Sequence, residues 1–137
     1  MRGTFRCSPR EPQPGDVPRE WIDYDPNWRE FIGTTFAVVL ARHAAKLPRA
    51  LVSALDASLR RAVEGTLDRH VPAEYTNIAP MRAFLLDWAG ARLHETEWQQ
   101  RGASLAEEIC RDYRATGAFT EHHSPTCYGI GLYGLAL

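Results

Sequence analysis

Residues 73–93 read AEYTNIAPMRAFLLDWAGARL. On a helical wheel Ile78, Met81, Phe84, Leu85, Leu86 and Trp88 cover most of the circumference, which predicts a helix buried on nearly every side. Thr76 or Asn77 suits the N-cap, and Pro80 suits the first turn, where its missing N–H is not needed. The neighbours on either side are of the opposite kind. Residues 48–70, PRALVSALDASLRRAVEGTLDRH, place Leu51, Leu55, Leu59, Val63 and Leu67 at four-residue intervals, with Arg60, Arg61, Glu64 and Asp68 mostly off that stripe. Residues 96–117, TEWQQRGASLAEEICRDYRATG, carry Trp98, Leu105, Ala106, Ile109 and Tyr113 on one stripe and end on Gly117 at C′. Both predict helices that bury one face.

Further out the fully apolar type returns. Residues 27–47 are apolar nearly all round over Phe31–Leu40, and SPTCYGIGLYGLAL (124–137) opens a third apolar helix after Pro125. The order is buried, amphipathic, buried, amphipathic, buried. Asn27, Asn77 and Ser124, each at the start of an apolar helix, lie 50 and 47 residues apart. That spacing suits repeated α/α hairpins with longer loops. The expected fold is therefore all-α: hairpin repeats forming an incomplete α/α toroid, with inner helices surrounded and outer helices half-exposed. In such a ring the three loops that enter inner helices share one end. An irregular helical bundle is the alternative.

Composition narrows the classes. The chain has 137 residues, 45% hydrophobic and 24% charged, as expected of one soluble globular domain. A net charge of −1 and scattered arginines give no case for nucleic acid or an anionic membrane. Three cysteines without a CxxC fit a reducing compartment. The N-terminus shows no signal peptide, and no run nears the roughly 18 apolar residues of a membrane span, so a cytoplasmic location is expected. Residues 1–20 hold four of the nine prolines and few large apolar groups, which predicts a flexible arm before a helical domain over 21–137.

Three stretches, WIDYDPNWREFIGTTFA (21–37), YTNIAPMRAFLLDWAG (75–90) and SPTCYGIGLYGLAL (124–137), resemble a largely uncharacterised group of α/α-toroid proteins. That group is similar in architecture to six-hairpin glycosidases and toroid polysaccharide lyases. The resemblance implies a carbohydrate-active protein, a glycoside hydrolase or polysaccharide lyase, or a fragment of one, with a saccharide as substrate and no cofactor. The chain departs from the group at His122-His123, where Tyr-Asn is expected, and at Cys127, where Tyr is expected.

The loop residues fit such chemistry. Glu121, His122, His123 and Tyr128 are the candidate catalytic set: a histidine titrates near neutrality, and a carboxylate or phenol beside it can share proton transfer. The resemblance to toroid lyases implies that an Asn or His neutralises a uronate while a Tyr or His takes the α-proton. Asp25, Trp28, Glu74, Tyr75 and Asn77 are candidates for substrate binding, the acids because glycoside hydrolysis needs paired carboxylates, the aromatics because they stack on sugars. Asp25 before Pro26 and Asn77 at a helix start also read as turn and cap residues. His122, His123 and Cys127 are metal-ligand types, but no second cluster completes a site, and no metal is expected. Two other functions stay open. One is a non-catalytic helical module whose exposed YGIGLYGLAL segment drives oligomerisation. The other is a small-molecule or terpenoid-processing enzyme with a toroid cavity.

Overall fold

A computed structural model describes residues 3–11, 15–121 and 124–137. The fold is all-α. Its helices are α1 (Trp28–His43), α2 (Arg49–Leu67), α3 (Ala79–Leu93), α4 (Thr96–Thr116) and α5 (Pro125–Leu135), with a 3-10 turn at Ala44–Lys46. The chain divides into two compact units, Met1–Arg69 and His70–Leu137. The Pro-rich arm and the first hairpin thus share one unit.

In the first unit α1 packs on α2. The buried face of α2 is Leu59, Ala62, Val63, Gly65 and Thr66, while Leu51 is 45% exposed. The expected leucine stripe fails at its N-terminal end for a geometric reason. A four-residue step overshoots one 3.6-residue turn by about 40°, so five such residues wind off any straight face. Ala37 and Leu40 of α1 are buried there, together with three polar residues, Arg29, Glu30 and Thr34. Thr34 donates back to the Glu30 carbonyl at 2.8 Å, and Thr66 of α2 donates to the Glu30 carboxylate at 3.1 Å. At the open end of the hairpin Arg69 joins three partners. It donates to Asn27 Oδ1 at 2.8 Å, lies 3.3 Å from the Glu20 carboxylate, and stacks 5.2 Å from the Trp21 ring. The arm makes contacts of its own: Phe5 meets Phe36 edge-on at 5.5 Å, Thr4 Oγ1 donates to the Asp25 carbonyl, and Gly3 backs onto the Arg61 carbonyl.

In the second unit α3 is the centre, buried from Ala79 through Ala83 and again at Leu85, Leu86, Ala89 and Gly90. It packs along α4 and, over a shorter length, along α5. Glycines set how closely α3 and α4 approach. A Cβ on Gly102 would stand 2.7 Å from the Ala83 carbonyl oxygen and 2.7 Å from the Asp87 nitrogen; one on Gly90 would stand 2.8 Å from the Gln99 nitrogen. Trp98 and Ile109 of α4 are buried on the same side as Gly102. Gly117 ends α4 with φ 71°, its N–H bonding the Tyr113 carbonyl at 2.8 Å, as its C′ position predicts. The hydrophobic expectation for α5 is not met. Only Gly134 is buried there, while Tyr128, Leu132, Tyr133 and Leu135 are 40% to 64% exposed. One α5 face meets α3.

Candidate functional site

The segment after Gly117 folds back over the start of α3 within the second unit. Phe119 rests on Tyr113, their rings 5.1 Å apart. Glu121 then reaches the turn Tyr75–Ile78: its Oε2 accepts from Thr76 Oγ1 at 3.0 Å and from the Asn77 backbone N–H at 2.8 Å. A carboxylate at this place also meets the positive end of the α3 dipole. Glu121 thus does, from a distant loop, what a capping side chain normally does from within the helix. Neither Thr76 nor Asn77 caps α3 itself. Ile78 holds the N-cap position and makes no side-chain bond to the helix.

Asn77, in the turn before α3, directs its side chain to the α5 start instead. Its Nδ2 donates to Cys127 Sγ at 3.6 Å, and Ser124 Oγ donates to the same sulfur at 3.1 Å. The Asn77 Oδ1 is buried with no hydrogen bond among the described residues. Beside this cluster a cleft of about 100 Å³ is lined by Thr76, Phe119, Glu121, Cys127, Tyr128 and Leu132. Glu121 and Tyr128 therefore line one cleft, and Asn77 is tied to its edge through Glu121 and Cys127. Glu74 and Tyr75 sit in the adjoining turn, Glu74 exposed and Tyr75 half-buried, its carbonyl accepting from Ile78 and Ala79. His122 and His123 lie outside the described residues.

Asp25 and Trp28 belong to the first unit. Asp25 Oδ1 accepts from the Asn27 N–H at 2.8 Å, the side-chain turn that its place before Pro26 predicts. Trp28 opens α1 with its ring 5.5 Å from Phe31. Asp23 nearby is engaged by Arg19, whose Nε hydrogen bond, together with the backbone N–H, holds that carboxyl below the usual carboxylate range.

Sequence reasoning offered Thr76 only as a cap and missed its bond to Glu121, Cys127 as an acceptor, and the buried Glu30. The signal for Glu30 was present: an acid at the head of an otherwise apolar helix. Among the described residues no group of three His, Cys, Asp or Glu is placed to hold a metal ion, and no helix is long and apolar enough to cross a membrane.

The model of a family described as a domain of unknown function, DUF8769, matches residues 1–137. The chain belongs to that family. It matches no curated protein and no solved structure. What this DUF8769 chain can do must therefore be argued from its own geometry.

That geometry gives Glu121 a structural task with a measurable size. Glu121→Ala leaves the Thr76 hydroxyl and the Asn77 N–H without their acceptor, and the expected loss is about 1–3 kcal/mol for a partly exposed charged bond pair. Chemical denaturation followed by tryptophan fluorescence checks this. Wild-type stability in the variant would show that the carboxylate does not hold the turn.

Proposed function

We propose that this DUF8769 chain is a non-catalytic helical module that works by docking another helix against its second unit. The observation that carries this reading is α5. It has no charged residue, yet it exposes Tyr128, Leu132, Tyr133 and Leu135. Next to them an apolar groove of about 530 Å³ runs between α4 and α5, lined by Ile109, Tyr113, Phe119, Leu132 and Leu135 among others. Contiguous apolar surface of this kind marks a site of association. The groove, about 530 Å³, is several times the size of the cleft at Glu121, about 100 Å³.

The test replaces the surface and leaves the fold. Leu132→Glu with Leu135→Glu should keep the helical circular dichroism and abolish both self-association by light scattering and binding of an apolar fluorescent dye. The reading fails if the wild-type chain is a monomer that binds no dye, or if the double variant behaves like the wild type.

A second reading, that of a carbohydrate-active partial toroid, draws on the resemblance and on the presence of Glu121 and Tyr128 in one cleft. Against it, Glu121 is the one acid among the described residues of that lining, and its Oε2 already accepts two hydrogen bonds. Turnover of any member of an oligosaccharide panel, lost in Tyr128→Phe without loss of stability, would establish it in place of the first.

A further inference from the structure

The groove between α4 and α5 continues toward α3. A second apolar cavity, of about 250 Å³, has Pro80, Ala83 and Phe84 of α3 as its floor and shares Ile109, Cys110 and Leu135 with the groove. The two are neighbours along one trough, since α4 and α5 both pack on α3 and leave a slot between them. The α4 wall is Ala106, Ile109, Cys110, Tyr113 and Arg114, positions three and four apart and so on one helix face. From Ala106 to Arg114 the wall rises about 12 Å.

That lining holds a single charge among the described residues. Arg114 stands at the end of the wall that also carries Tyr113 and Phe119. Its guanidinium is exposed and makes no ion pair among the described residues. An apolar trough with an unpaired cation at one end is complementary to a hydrocarbon chain with an anionic head. The planar guanidinium matches a carboxylate through two parallel hydrogen bonds. Polar groups further along the chain would lose water, with only the Cys110 thiol and the Tyr113 hydroxyl among the lining side chains to replace it.

We infer that the trough binds a medium-chain carboxylate, its hydrocarbon along α4 against Leu132 and Leu135 and its head on Arg114. The inference goes beyond the docking reading, because it needs only the trough. Where both hold, the ligand and the docked helix compete for Leu132 and Leu135.

Displacement of Nile red, a neutral apolar dye, from the full chain tests this, with each competitor kept below its micellar concentration. Decanoate should bind about fivefold more tightly than decanol, the difference that one exposed carboxylate–guanidinium contact supplies. Arg114→Gln should remove that advantage. Arg111→Gln takes the same charge from α4 outside the trough lining and should not. From hexanoate through octanoate to decanoate, affinity should rise by up to about fourfold per methylene. Bound decanoate should also slow maleimide labelling of Cys110, read by mass spectrometry, and leave Cys7 unchanged; both are free, exposed cysteines.

Decanol that binds as well as decanoate, equal losses in the two arginine variants, or unprotected Cys110 overturns the carboxylate site and leaves the docking module standing. Dye that binds the wild type but yields to no member of the series does the same, and assigns the groove to the helix alone. A monomer that binds neither dye nor decanoate removes both readings.

Discussion

Gly102→Val should destabilise the second unit by about 3 kcal/mol or more, the largest effect expected of any single substitution considered. The cause is distance. The α3 backbone lies where the side chain would go, with the Ala83 carbonyl oxygen and the Asp87 nitrogen both 2.7 Å from the position of a Cβ. Neither atom is the free end of a flexible side chain, so the clash is relieved only by moving one helix off the other. Overpacking a tight core typically costs about 1–3 kcal/mol, and a branched residue against fixed backbone belongs at or above the top of that range. Helix propensity works the other way, since Val is a better helix former than Gly by a few tenths of a kcal/mol, and it is far too small to compensate. Thermal unfolding by circular dichroism reads the result. A melting temperature equal to wild type would mean that α3 and α4 do not approach as closely as the glycine allows.

Thr66→Val should cost about 3 kcal/mol in the first unit. The exchange is nearly isosteric, and both residues have similar helix propensity, so what is lost is the hydroxyl. Thr66 is 1% exposed and donates to the carboxylate of Glu30, itself 1% exposed. Removing a donor from a buried acceptor exacts the desolvation of that group, about 1–3 kcal/mol for a neutral one and more for a charge. Thr66→Ser keeps the hydroxyl and should keep most of the stability, losing only the packing of one methyl group. Urea denaturation of the three proteins separates these contributions. If Val and Ser cost the same, the hydrogen bond contributes nothing and the methyl group accounts for both.

The two effects concern different units, so they should add when combined, as substitutions that share no partners do. They also bear on function in opposite ways. Gly102 lies on α4, whose Ile109, Tyr113 and Arg114 line the α4–α5 groove, so a shift of α4 would disturb the groove as well as the core. Glu30 and Thr66 belong to the other hairpin, so Thr66→Val should leave the docking proposed for the second unit unchanged once the protein is folded.

How much of this was legible beforehand depends on the range of the interaction. Residues 73–93 announced α3 correctly because an apolar wheel with proline in its first turn is a local pattern. Gly117 announced the end of α4 because a left-handed terminus is local too. The α2 stripe was read too literally: the leucines at four-residue intervals outrun the helix period, and Leu51 turns to solvent. Of the candidate site residues, Glu121 and Tyr128 line one cleft, while Asp25 and Trp28 belong to the other unit. The wiring of the site was not legible. Asn27, Asn77 and Ser124 are the polar residues one places at helix starts by rule, and none makes a side-chain cap bond. Asn27 accepts from Arg69, forty-two positions away, and Asn77 and Ser124 both donate to Cys127.

The sequence by itself determined that this chain is helical and roughly where its five helices lie, from the central apolar α3 to the left-handed end of α4 at Gly117. Those properties follow from propensity, period and capping, which act within a few residues. Tertiary structure alone decided that Glu121 spends its carboxylate on the turn before α3, and that the most apolar helix, α5, is left half in solvent. Composition can say that a face seeks cover, but only the positions of the other helices say whether it has found any.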